Sequence, residues 1–352
     1  MKGKEQNPAL EPVKVEKEGP IAILTLQNPP YNVLTSRVLD ALAEAAVAMT
    51  DDPQVRCIIL TGSGDKAFSS GANIKEMAGM TLEEAVRYSA KGQALTNLLE
   101  RSPVPVIAAI RGFCLGGGCE ISLACDFIVA ASDAVFAQPE INIGVLPGWG
   151  GSRRLTRAIG VARARHWILT GEKVPAEVAL RDGLVDRVVP PAKLLEEAKS
   201  LAKVLASKGS TAIAAAKYAV NYASDATRLL GLEYERDLWG VLFQTEDQKE
   251  GMKAFLEKRE PRFQGRTTWG SREQQYPWKE QWAAYEEAKK EIGVDHPDYL
   301  MRPWMELWEK SGRDLLGSVL DLSVSTATTY QEWVDRAWKM AMGPARAAKG
   351  NP

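Results

Sequence analysis

Four short apolar runs, each rich in β-branched residues, limit what this chain can become. They are IAILTL from Ile21, RCIILTG at 56–62, VPVIAAI at 104–110 and FIVAA at 127–131. Each has the length and composition of a buried strand and is bounded by turn-forming or glycine-rich sequence. A helical pattern at 36–49 separates the first two, and a glycine-rich segment with a short helix separates the last two. Strands alternating with helices predict an α/β core.

After LVDRVVP the pattern changes to long helices, expected at 192–207, 213–224, 229–243 and 248–259. The chain of 352 residues thus divides into a core at 1–200, a helical cap at 201–266 and a further module at 267–352. That last module holds seven of the ten tryptophans, so it is compositionally distinct. Helices expected at 276–292, 304–322 and 326–342 would align Trp278, Trp282, Tyr285 and Ile292 on one face. Tyr330, Trp333, Val334, Ala337, Trp338 and Ala341 would share another. Such stripes pack on the rest of the chain or on a neighbouring subunit, or they dock another protein.

The 44 Lys and Arg balance 45 Asp and Glu, which gives no overall bias toward nucleic acid or a membrane surface and leaves small anionic ligands open. Cys57, Cys114, Cys119 and Cys125 lie in apolar contexts without CxxC spacing. They read as reduced thiols of the cytoplasm rather than a disulfide framework or zinc site. The first twenty residues are too charged for a secretory signal, and Arg111, Glu120 and Asp126 interrupt the apolar tract at 106–131, so no membrane span is expected. The only histidines, His166 and His296, lack a Ser-His-Asp context, and GSGDK at 62–66 lacks the spacing of a phosphate-binding P-loop.

The stretch LGGGCEISLACDF, residues 115–127, carries the chemistry-bearing pattern. Glycines entering a helix expose backbone N–H groups at the positive end of its dipole, although they equally permit close helix-on-strand packing. Dinucleotide binding is a poor fit, because Ile121 stands where GxGxxG needs its last glycine. Glu120 follows among apolar neighbours; it either complements the dipole at a partly solvated terminus or is a positioned acid or base, since a buried carboxylate needs partners. Glu140, in QPEINIGVLPGWGG, is either a solvated loop residue or that partner. The segment AFSSGANIKEM, residues 67–77, sets a small-residue turn before a helix, and its N–H groups offer a second oxyanion donor.

Five segments, GANIKEM, GFCLGGGCEISLACD, QPEINIGVLPGWGG, LTGEKVPAEVALRDGLVDRVV and EGMKAFLEKREPRF, resemble the crotonase, or enoyl-CoA hydratase/isomerase, family in this order over residues 18–266. The resemblance implies a spiral of ββα units with a helical cap, to which the C-terminal helical module is an addition. It implies reversible hydration of a 2-enoyl-CoA thioester. The thioester oxygen would be held by the N–H groups of Ala72 and Gly117, and Glu120 and Glu140 would share a water oriented by the Gly148 backbone. Ala72, Ile74 and Lys75 would contact substrate or coenzyme A, and Trp149 would border the acyl pocket. No metal or redox cofactor is implied; coenzyme A enters as part of the substrate. Relatives assemble as trimers or dimers of trimers.

Family isomerases commonly keep a match to Glu140 but not to Glu120, so both together favour hydration. The rivals are an isomerase, a hydratase or hydrolase of a cyclic acyl-CoA, and a non-catalytic acyl-CoA-binding or assembly protein, which would need neither glutamate. Three features depart from the family pattern. Asn73 replaces a common Asp, NPPYNVL lacks the basic residue many relatives place near the coenzyme A phosphates, and Trp149 stands where small residues are common. A Gly117→Val change is expected to block the thioester with far less damage to folding than to turnover.

Overall fold

The computed structural model describes residues 11–223 and 228–265. The expected tryptophan-rich helical module and His296 lie outside the described residues.

The chain begins with an antiparallel pair, β1 (Val13–Glu18) and β2 (Ile21–Leu26), followed by helix α1 (Ser36–Asp51), whose Thr35 hydroxyl caps it by accepting from the Val38 N–H. Three strand pairs follow, each joined by a short turn: β3 (Cys57–Gly62) with β4 (Ala67–Ser69), β5 (Val106–Ile110) with β6 (Phe113–Leu115), and β7 (Phe127–Ala131) with β8 (Val135–Ala137). Between the pairs run α2 (Ile74–Met77), α3 (Leu82–Arg101) and α4 (Gly117–Leu123). After β8 come a 3-10 turn (Pro139–Ile143), α5 (Gly151–Thr170), β9 (Val174–Pro175), α6 (Ala176–Asp182) and β10 (Arg187–Val189). Four helices complete the described chain: α7 (Leu194–Ala206), α8 (Ser210–Ala223), α9 (Arg228–Leu242) and α10 (Glu246–Leu256).

The first strand of each pair enters a six-stranded sheet of order β1-β2-β3-β5-β7-β10, parallel except at β1. The second enters a four-stranded sheet of order β4-β6-β8-β9. The chain therefore winds as a spiral of ββα units. The inner strands β2, β3, β5 and β7 of the larger sheet are buried on both faces, which explains their nearly continuous apolar runs. Ile58, Leu60, Val106 and Ala108 enter one core with Leu39 and Leu42 of α1 and Leu95 and Leu99 of α3. Ile59, Ile107 and Val129 face Leu194, Ala198 and Ala202, which recur every fourth residue along α7.

All four strands read from the apolar runs are present. The second starts one residue late, at Cys57, and the third two residues late, at Val106, where Pro105 has no N–H to give a ladder. Strand β1, VKVEKE, was masked by its charge: five of its six residues are exposed, as suits a sheet edge guarded by Lys and Glu. The smaller sheet has strands of two or three residues, too short to show a period.

Candidate active site

Strands β4, β6 and β8 pair in parallel, so all three end at the same edge of the small sheet. The next two or three residues after each are the turn to Ala72, the run Gly116, Gly117 and Gly118, and the turn to Glu140. Parallel pairing thus gathers three segments that are widely separated in sequence.

The three glycines meet three different neighbours. Gly116 has φ +51° and carries its chain past the Glu140 carboxylate; a Cβ there would lie 3.0 Å from Glu140 Oε1. A Cβ at Gly117 would lie 2.3 Å from the Trp149 indole, and one at Gly118 would lie 2.7 Å from the Ser69 carbonyl oxygen. Both alternatives read from the sequence therefore hold: the run packs closely and it also frees N–H groups. Among the described residues, neither Ala72 N–H nor Gly117 N–H has an acceptor. The Gly71 Cα stands between the two turns, since a Cβ there would approach Gly117 N to 3.3 Å.

Glu120 sits in the first turn of α4 and is only 2 % exposed. Its Oε1 accepts from the N–H of Trp149 at 2.7 Å and of Gly151 at 2.8 Å. Burial pushes its pKa up to about 7 against the lowering effect of these amides and of the Arg154 guanidinium. Glu140 is partly buried, and burial together with the negative charge of Glu120 pushes it up to about 7 as well. The solvated-loop reading of Glu140 is thereby set aside. Burial and the Glu120 charge thus both favour the protonated form of Glu140.

Gln138 was not read from the sequence. It is fully buried and, in the amide orientation that satisfies both its ends, donates to both Glu140 oxygens at 3.2 Å. The only local signal was its place two residues before Glu140.

The Trp149 side chain does not border open space: it is 3 % exposed and rests against Tyr88, with ring centroids 5.6 Å apart. Ile74 and Lys75 are exposed at the start of α2. Asn73 caps that helix, its Oδ1 accepting from Lys75 N–H and its Nδ2 donating to Glu76, so the departure from Asp preserves a cap. Gly148 presents its carbonyl to α3, while its N–H has no acceptor among the described residues. His166 is exposed and pairs with Glu172. All four cysteines are free, three buried and Cys125 partly so.

A spiral of ββα units that feeds one strand of each pair into a large sheet and the other into a small one is the crotonase architecture. The model of the Enoyl-CoA hydratase/isomerase family matches residues 16–266, and the chain belongs to that family. It is 48% identical over 254 residues to a Mycobacterium tuberculosis protein named probable enoyl-CoA hydratase echA8, covering 72% of this chain and 98% of the relative. It is 43% identical over 256 residues to the crotonyl-CoA hydratase of Syntrophomonas wolfei, with 72% and 98% covered. A solved enoyl-CoA hydratase from Bacillus anthracis superposes with a TM-score of 0.70 at 37% identity, over 72% of this chain and all of that one.

Proposed function

We propose that the chain is an enoyl-CoA hydratase, adding water reversibly across the 2,3 double bond of a 2-enoyl-CoA thioester. The observation that carries this reading is the placing of buried Glu120 and half-buried Glu140, the latter against the Gly116 turn, beside two turns whose Ala72 and Gly117 N–H groups have no acceptor among the described residues. The names of the relatives support the same activity.

In this mechanism the thioester oxygen accepts from Ala72 N–H and Gly117 N–H, which stabilises the negative charge that develops as water attacks Cβ. Glu120, ionised, takes a proton from that water; Glu140, protonated, delivers one to Cα. The hydroxyl ends on Cβ and the hydrogen on Cα; Glu120 is left protonated and Glu140 ionised, and exchange with solvent takes the proton from Glu120 and returns one to Glu140. Gln138 holds the Glu140 carboxyl in register, and Gly148 N–H orients the water. All steps use groups of this chain, with coenzyme A as a part of the substrate that lies toward Ala72, Ile74 and Lys75. Retention of both glutamates disfavours the isomerase and the non-catalytic binding protein.

The substrate is short. The Trp149 indole fills the space behind Gly117 that a smaller residue would leave to the acyl chain. The helices at 201–266 serve as cap and oligomerisation region of a homotrimer or dimer of trimers, a role supported by exposed apolar side chains such as Trp239, Phe255 and Leu256. The cytoplasm suits its free thiols. The extension at 267–352 is proposed to dock a protein partner.

Loss of the conjugated enoyl-thioester absorbance, followed with four-carbon, eight-carbon and cyclic enoyl-CoA substrates, tests the proposal. The four-carbon substrate should react fastest, and Glu120→Gln and Glu140→Gln should each lower kcat by about 10² or more. Near-parental rates in either variant would refute the mechanism.

A further inference from the structure

The loop at 148–151 supplies both amides that hold Glu120, and the loop itself is fastened by its carbonyls. Gly148 O accepts from Ser89 Oγ at 2.7 Å and Gln93 Nε2 at 3.0 Å. Trp149 O accepts from Thr96 Oγ1 at 2.9 Å and Arg154 Nη1 at 3.0 Å. Ser89, Gln93 and Thr96 are spaced by four and three residues, so they form one stripe along α3. Buried Arg154 adds stiffness by bonding Asn97 and Glu100 of the same helix.

A trans peptide is planar, with its C=O and N–H pointing in opposite directions. The peptide joining Gly148 to Trp149 therefore cannot offer its carbonyl to α3 without aiming its N–H away from α3. On that far side Glu120 Oε1 receives the Trp149 N–H. With Oε1 engaged by two amides, Oε2 is the oxygen left for the water.

We propose that Ser89 and Gln93 are positioning residues for the hydration: by fixing the Gly148 carbonyl they aim the Trp149 amide at Glu120 and thereby select which carboxylate oxygen acts. The proposal rests on the hydratase reading for its catalytic consequence, and on the hydrogen-bond geometry alone for its effect on Glu120. Ser89 and Gln93 are uncharged, so their influence travels through the peptide and not through a field of their own. The charged and titratable groups around Glu120 are Glu140 from the 3-10 turn, Arg154 from α5 and Cys119 on its own helix; Tyr88 of α3 stands behind Trp149.

The experiment compares the full-length parent with Ser89→Ala, Gln93→Ala and the double variant. One readout is the carbon-13 titration of the Glu120 carboxyl, identified as the resonance lost in Glu120→Gln; the other is steady-state hydration of crotonyl-CoA. Weakened amide donation disfavours the carboxylate, so the double variant should titrate higher by about half a pH unit or more. Its kcat should fall about tenfold with KM within about twofold, the pattern of an interaction that matters in the transition state. Ser89→Thr keeps a hydroxyl and should stay near the parent in both readouts.

A folded double variant with unchanged Glu120 titration and unchanged kcat overturns the proposal, as does one that only melts earlier. If the double variant does not fold, each single variant should show a smaller upward shift, and no shift in either overturns it. A parent that hydrates no enoyl-CoA while the titration still moves would sink the hydratase reading and leave the carbonyl clamp standing.

Discussion

Glu140 is held where an ionised carboxyl is costly, and the sign of that cost can be measured. Its ordinary value is 4.5, and in the folded chain it is raised to about 7. Between these values the folded state binds more protons than the unfolded, so its contribution to stability is present below 4.5 and is lost as pH rises through about 7. Glu140→Gln cannot ionise; it should melt higher than the parent at pH ~8, with the margin vanishing near pH ~4.5. Equal margins at both pH values in thermal melts would contradict the linkage. Gly117 needs a corrected expectation. A Cβ at this position would overlap the Trp149 ring at 2.3 Å, so Gly117→Val should damage folding along with turnover, not turnover alone.

At the scale of elements, the Trp149 indole lies against both α3 and α4. A Cβ at Gly92 of α3 would fall 2.2 Å from the five-membered ring of Trp149, whereas Gly117 meets its six-membered ring. Gly92→Ala should therefore cost about 1–3 kcal/mol by overpacking, and Trp149→Ala about 3–5 kcal/mol by leaving a cavity. Their double variant should cost less than the sum, because each change relieves the other. Additive denaturation energies would show that the two sites do not share this space. Helix α8 is tied to the core by a second device. Lys217 Nζ reaches Asp126 Oδ2 at 2.8 Å with side-chain exposures of 6% and 18%. The same Asp126 oxygen accepts from Val106 N–H, at the start of β5. Lys217→Met would leave a buried carboxylate unpaired and should cost about 3 kcal/mol or more; adding Asp126→Asn should recover part of it.

At the scale of the whole molecule, 72% of this chain spans nearly the full length of its relatives. Removal of residues 267–352 should therefore retain the hydration rate. Oligomer size, solubility or melting temperature should change first if the tryptophan stripes cover apolar surface. Light scattering, melting and rate measurements on the truncated and full-length proteins decide this. Loss of the rate with the assembly intact would make the extension part of the working enzyme.

The sequence by itself determined the elements whose causes are local or repetitive. β-branched runs marked β2, β3, β5 and β7, helical period marked α1 and α7, and the glycine run marked α4, where Gly116 adopts φ +51°. It also picked out Glu120, since a carboxylate amid apolar neighbours needs a reason. Tertiary structure alone decided what those residues meet. The three-residue strands of the small sheet carry no period, yet their parallel pairing brings Ala72, Gly117 and Glu140 to one edge. Gln138, Ser89 and Gln93 are ordinary polar residues in sequence. They acquire their places from bonds across 2 residues to Glu140 and across 59 and 55 residues to Gly148. The physical reason is that a carboxyl's protonation depends on what surrounds it in space: burial, opposed amides and a second charge, none of which adjacency along the chain specifies.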